Sequence, residues 1–322
     1  MTTPGRARRV ATVLAVVLGV AVLVAVVPWA MSRARAPARA ISLERRGPAT
    51  GPRTPGLLRV ATYNIAHLRG QPEDNWAPSV DERDRRASDI AALLRTLDAD
   101  VVVLNEVDFD ASWSGRIDAA ALLAERAGYP LVVRQRSLDV CVGWLCWRFG
   151  NAVLSRVELS DAQLLELPGF SSWETALAGK KRGAIMTLAL PSGPVRLAAV
   201  HLCHRSEEVR TASASQLSLL VHDRAPLLVV GDLNAAPRSF PHAEHTRDGW
   251  SAFRIFDERF ARMPAGELPA PADLTYPTAA PDRVLDWILI PKELAFVSYG
   301  VVDSAHSDHR PVLAEVRLTP GP

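Results

Sequence analysis

The sequence has very little cysteine. Three in 322 residues, Cys141, Cys146 and Cys203, are too few for a disulfide scaffold, and their spacing argues against a zinc site, which takes four nitrogen or sulfur ligands. Cys141 and Cys146, in "DVCVGWLCW", either close one short disulfide in an oxidising compartment or remain two buried thiols in an apolar loop. Net charge is also nearly absent, at +2, but the figure hides a division. Nine Arg and one acid precede Leu57, which leaves 28 basic and 34 acidic residues from there on, a net of −6. That part lacks the basic excess with which duplex-coating proteins neutralise phosphates, although acids gathered around a metal would count towards the same total. Apolar material, by contrast, is plentiful. At 48% hydrophobic the chain is not disordered throughout, and it is long enough for one large domain or two ordinary ones.

The segment from Val10 to Met31, "VATVLAVVLGVAVLVAVVPWAM", carries no charge and follows Arg6, Arg8 and Arg9. Its length suits a bilayer span, Trp29 stands where an interfacial aromatic is expected, and apolar residues on every face argue against a core helix. We expect an uncleaved single-pass anchor over 10–31 after a basic tail at 1–9; Ala-Arg-Ala at 34–36 and 38–40 keeps signal cleavage open as the alternative. The short basic N-terminus favours a folded part outside the cytoplasm, against the opposing pull of Arg33, Arg35, Arg39, Arg45 and Arg46. Residues 32–56, rich in Arg, Ala, Pro and Gly, have no apolar period and predict an extended linker.

From Leu57 to 319, short apolar runs repeatedly end in a polar residue: "LLRVATYN", "DVVVLNE", "VRLAAVH", "PLLVVGDLN", "RVLDWILI" and "RPVLAEVRL". These read as buried strands bounded by turn signals. Between them "DERDRRASDIAALLRTL" sets Ile90, Leu93, Leu94 and Leu97 on one helical face, with weaker helical patterns in "DAAALLAERAG" and "TASASQLSLLVHD". The mixture predicts an α/β or α+β class with helices layered on sheet.

The polar strand ends are Asn64, Glu106, His201, Asp232, Asn234, Asp286, Asp308 and His309. Each has a bland explanation singly: a strand cap, an Asx-turn in "GDLNAAP", a satisfied core histidine. Together, carboxylates and amide oxygens offer hard ligands for Mg²⁺, and two histidines add proton transfer or charge stabilisation, which is a phosphoester-cleaving set.

The order and spelling of "TYNI", "LNEV", "GNAVLSR", "KRGA", "AVHL", "GDLNAAP", "LDWILI" and "SDHRPV" resemble the successive motifs of the endonuclease/exonuclease/phosphatase superfamily, the fold of deoxyribonuclease I. One departure is Asn105, where many members have Gln. The resemblance implies a four-layer α/β sandwich, two packed, mostly antiparallel sheets flanked by helices, here preceded by one N-terminal transmembrane helix. It further implies an Mg²⁺ site, with Mn²⁺ a possible substitute, built from Glu106 and Asn64, with Asp308 near the same ion or a second one. Asp232 would orient or deprotonate water, Asn234 would donate to the phosphoryl oxygens, and His309, held by Asp286, would face the scissile phosphate with His201 opposite. Asn151 and Arg182 would contact phosphate.

The substrate would be a phosphoester, either a membrane-proximal phospholipid or glycolipid headgroup or a nucleic acid, with no obligate protein partner. A nuclease cleaving DNA or RNA is the alternative, and a non-catalytic domain binding anionic ligands is the competing class. Trp144, Trp147 and Trp173 lie in insertions that either form an aromatic rim over the site or pack as ordinary loops.

Overall fold

The computed structural model describes residues 4–34, 40–142, 144–172, 174–175, 179–222 and 225–318. Strand β2 (Leu57–Asn64) shows how the sheets arise. Its alternate side chains are apolar on both faces, so Leu58 and Val60 enter one core while Ala61 and Tyr63 enter another. The next strand, β3 (Val101–Asp108), does the same and pairs in parallel with β2. A strand apolar on both sides needs cover on both sides, and the result is two sheets face to face with helices outside.

The first sheet has seven strands in the order β1-β4-β5-β3-β2-β13-β12, where β1 is Ile41–Arg45, β4 Leu131–Val142, β5 Leu145–Ser155, β12 Ala295–Val301 and β13 Val312–Arg317. The second has six in the order β10-β11-β9-β8-β7-β6, with β6 Glu158–Glu166, β7 Arg182–Leu190, β8 Gly193–His201, β9 Leu227–Asp232, β10 Phe260–Ala261 and β11 Asp286–Pro291. Apart from β2–β3 and β8–β9, neighbouring strands run antiparallel.

Helix α2 (Val80–Leu97) starts at a capping box, with Ser79 and Glu82 satisfying each other's backbone, and ends at Asp98 in a left-handed conformation. Its Ile90, Leu94 and Leu97 pack with α3 (Ala119–Ala127) against the first sheet, each such burial contributing about 1.5–3 kcal/mol. Helices α4 (Glu207–Leu219) and α5 (Ala252–Arg259) cover the second sheet around Phe253, Phe256 and Trp287. The expected sandwich is present.

Two expectations change. The segment 32–56 is not wholly an extended linker, because Ile41–Arg45 pairs antiparallel with β4 as an edge strand. The expected transmembrane segment falls on helix α1 (Pro4–Ala34), whose side chains are described without a break only from Arg8 to Val24. Among the described residues no helix is long and apolar enough to cross a membrane, so the span over 10–31 is not supported there. Of the two readings of the cysteine pair, the disulfide is the one observed: Cys141 and Cys146 face each other across the β4–β5 hairpin and are bonded, while Cys203 is a buried free thiol.

Candidate active site

Sheet register brings the polar residues together. Asn64 lies opposite Asn105, His201 opposite Asp232, and Asp286 opposite Asp232, so the ends of five central strands converge on one rim of the sandwich. His309 arrives from the turn that leads into β13.

Asp232 is the hub. Its Oδ2 accepts from Asn64 Nδ2 at 3.0 Å and lies 3.5 Å from His201 Nε2 and 3.7 Å from His309 Nε2. Its Oδ1 accepts the Asn234 backbone N–H, and its own N–H donates to Asn105 Oδ1 at 2.8 Å. The close approach needs Gly231, whose φ is +143° and whose Cβ would meet the Val200 carbonyl oxygen at 1.9 Å. Burial pushes the Asp232 carboxyl up to about 7, with Asp286 reinforcing and His309 opposing the shift.

His309 Nδ1 is 2.8 Å from Asp286 Oδ2, and the imidazole lies against Tyr276. Burial works against its charge, but Asp286 and Asp232 outweigh it and raise His309 to about 10. His201 is the opposite case: burial, followed by the nearby Lys181, pushes it down to about 3. At neutral pH the two histidines therefore differ, one cationic and one neutral. Asn234, at φ +48°, also donates from Nδ2 to the Leu202 carbonyl and lines a small adjoining cavity of about 80 Å³.

Glu106, at φ +53°, opens onto a larger cavity of about 250 Å³ that it shares with His67, Arg69, Lys181, His201 and His204. Burial pushes its carboxyl up, yet His67, His201, Arg69 and His309 together hold it well below the usual range. A hard, ionised carboxylate at a polar cavity fits a divalent ion that keeps several waters or takes substrate oxygens.

The other expected ligands are engaged elsewhere. Asn64 Oδ1 accepts the Ala66 backbone N–H, which turns its NH₂ towards Glu106 (3.2 Å) and Asp232 (3.0 Å), so in this arrangement Asn64 orients both carboxylates. Asp308 Oδ2 is held by Arg69 at 2.7 Å.

Neither expected phosphate contact faces the cavity freely. Asn151 lines it, but both its N–H groups are given to Gln135 and the Arg182 carbonyl, while its oxygen accepts from Asn105. Arg182 is buried and bonded to the Arg136 carbonyl and Glu166. The cations that do line the cavity are Arg69, Lys180 and Lys181, and the chain has only three lysines in all.

His67 and Arg69, in "NIAHLRG", are the residues sequence reasoning missed. His67 Nδ1 is 2.7 Å from Asp108, which also accepts from Trp113, so a second imidazole–carboxylate pair stands across the cavity. Two polar residues inside an apolar turn directly after Asn64 were the available signal. Of the expected aromatic rim, Trp144 is exposed at the tip of the disulfide-closed hairpin, Trp147 is half-buried, and Trp173 lies outside the described residues.

The family model for the Endonuclease/Exonuclease/phosphatase family matches residues 61–309, a stretch that contains every one of these residues. The chain belongs to that family. Among solved structures of the family's fold, it resembles an endonuclease/exonuclease/phosphatase from Beutenbergia cavernae DSM 12333 at 24% identity and TM-score 0.60, covering 81% of this chain and 72% of that one. The human Nocturnin catalytic domain with bound sulfate matches at 19% identity and TM-score 0.58, over 89% of this chain and 100% of that one. ANGEL2, a 2′,3′-cyclic phosphatase in complex with adenosine-2′,3′-vanadate, matches at 16% identity and TM-score 0.55, over 86% and 98%. No curated protein matches the chain. Asn105, noted above as a departure from the family's motifs, accepts the Asp232 backbone N–H.

Proposed function

We propose that the protein is a metal-dependent phosphodiester hydrolase. The observation that carries this reading is the convergence of Asn64, His201 and His309 on a single oxygen of Asp232, with His309 backed by Asp286. Asp232 accepts from and orients an attacking water, its raised pKa making it a better base than an exposed aspartate. His309, cationic and fixed by Asp286, meets the negative charge that develops on the phosphoryl oxygens, and the remaining N–H of Asn234 donates to the same group. His201, neutral, serves as a hydrogen-bonding partner on the opposite wall. Glu106 would hold a divalent ion, Mg²⁺ or Mn²⁺, which when bound supplies Lewis-acid charge to a phosphoryl oxygen.

For the substrate we favour a lipid-derived phosphodiester headgroup at a membrane surface, with the chain as a single-pass protein and its hydrolase domain outside the cytoplasm. Two observations support this. In α1 the side chains of Val13, Leu14, Val16, Val17, Leu18, Leu23 and Val24 are exposed around the helix, which leaves an apolar surface without protein cover. The Cys141–Cys146 disulfide suits an oxidising compartment. Cleavage of nucleic acid is the second reading, favoured by Lys180, Lys181 and His204 along the cavity.

Hydrolysis of bis-p-nitrophenyl phosphate with Mg²⁺ or Mn²⁺, abolished by chelator, is the first test; metal binding without turnover on any ester would leave only a binding domain. Release of phosphorylated headgroup from liposomes, compared with nicking of plasmid DNA, then separates the substrates. Nicking with intact lipid would sink the lipid reading.

A further inference from the structure

Arg69 follows a turn that few sequences adopt. Ala66, His67 and Leu68 are consecutive non-glycine residues with φ of +47°, +53° and +58°, a strained left-handed turn. Two arginines of α2 hold it: Arg83 donates to the His67 carbonyl, and Arg86 donates to the Leu68 carbonyl at 2.7 Å. Gly70 follows at φ +79°, where a Cβ would lie 2.9 Å from the Arg86 guanidinium carbon. The turn delivers His67 and Arg69 into the cavity at fixed places.

There the Arg69 guanidinium is engaged through all three nitrogens. Nε donates to the Pro72 carbonyl at 2.7 Å, Nη1 to Glu106 Oε2 at 3.1 Å and Nη2 to Asp308 Oδ2 at 2.7 Å. Its side chain is 12% exposed, and it bridges two carboxylates, Glu106 and Asp308, that would otherwise be available to divalent cations. Glu106 Oε1 accepts from Asn64 alone among the described residues, so that oxygen would be the one to hold an ion. A guanidinium is charged at every working pH, does not exchange with solution, and matches carboxylate and phosphate geometry.

We propose that Arg69 occupies the second cation position of this site, so that the centre takes one divalent ion beside a built-in guanidinium, and that Asp308 positions Arg69 instead of ligating metal. The inference rests on the metal-dependent hydrolase reading above, and the test separates the two. The full chain is titrated with Mn²⁺ alone, stoichiometry being read by calorimetry and the environment of the ion by electron paramagnetic resonance. One isolated Mn²⁺ is expected in the wild type and in Arg69→Lys, which keeps the charge.

Arg69→Met removes the charge at similar length and is expected to admit a second ion, seen as twice the stoichiometry and a spectrum broadened by a neighbouring spin. Circular dichroism of both variants, matching the wild type, establishes that they fold. Two ions in the wild type, or one ion in a folded Arg69→Met, overturns the proposal and leaves a metal hydrolase standing. No ion in any of the proteins overturns the metal reading and this inference with it.

Discussion

Asp232 and His309 have opposite tasks, and their environments set them apart. One is a carboxyl that burial lifts to about 7; the other is an imidazole that Asp286 and Asp232 lift to about 10. The catalytically useful pair, ionised Asp232 with protonated His309, therefore exists between those values, and turnover is expected to rise through about pH 7 and fall near pH 10. Asp286→Asn removes the main charge supporting His309 and one that helps to raise Asp232, so both limbs should move to lower pH; a pH–rate profile unchanged at its alkaline end would show that Asp286 does not set this titration. The sign for stability agrees. A histidine raised on folding contributes fully below its unfolded value and loses that contribution as pH rises through about 10. At fixed neutral pH, Asp232→Asn and His309→Ala are each expected to lower kcat by about 10²-fold or more, and near-normal turnover in either purified variant would remove that residue from the chemistry.

Elements differ in how legible they are in the chain, and β1 shows why. Ile41–Arg45 is short, half-buried and embedded in an Arg- and Pro-rich stretch, so it lacks both the apolar run and the clean alternation that mark β2, β3 and β9. Only the exposed edge of β4 makes it a strand, and that edge is a tertiary fact. A chain beginning at Leu57 leaves the outer edge of β4 unpaired along Leu131–Gln135, and we expect it to melt lower and aggregate more readily than one beginning at Ala40; equal melting and light scattering would show that β1 is dispensable.

The same logic separates legible from hidden parts of the site. Asp232, Asp286 and His309 interrupt strong strand signals, where a buried charge demands a partner, and they stood out. Asn64 was legible as a site residue but not as a donor, because the Ala66 N–H that fixes its amide depends on a left-handed turn invisible in composition. Arg182 was misplaced for a related reason: a cation next to a strand start looks free until Glu166 on the paired strand is seen to hold it.

At the scale of the molecule the open quantity is what the first 39 residues do for a domain that is already closed from β1 onward. The sandwich buries its apolar strands between two sheets and two helical layers, and no described residue of α1 belongs to its cores. From Val10 to Val24 the aliphatic side chains of α1 are exposed, an arrangement costly in water and favourable in lipid at about 25 cal/mol per Å² of apolar surface covered. If that helix is the anchor, the full chain should stay with membranes through alkaline carbonate extraction and a chain beginning at Ala40 should not. On that reading the disulfide would lie on the oxidising side of the membrane. Cys141 and Cys146 should resist alkylation without reductant in whole cells, and protease added outside should reach the domain. Release of the full chain by carbonate would remove the anchor, and protection from external protease in cells that retain it would reverse the orientation while leaving the hydrolase reading intact.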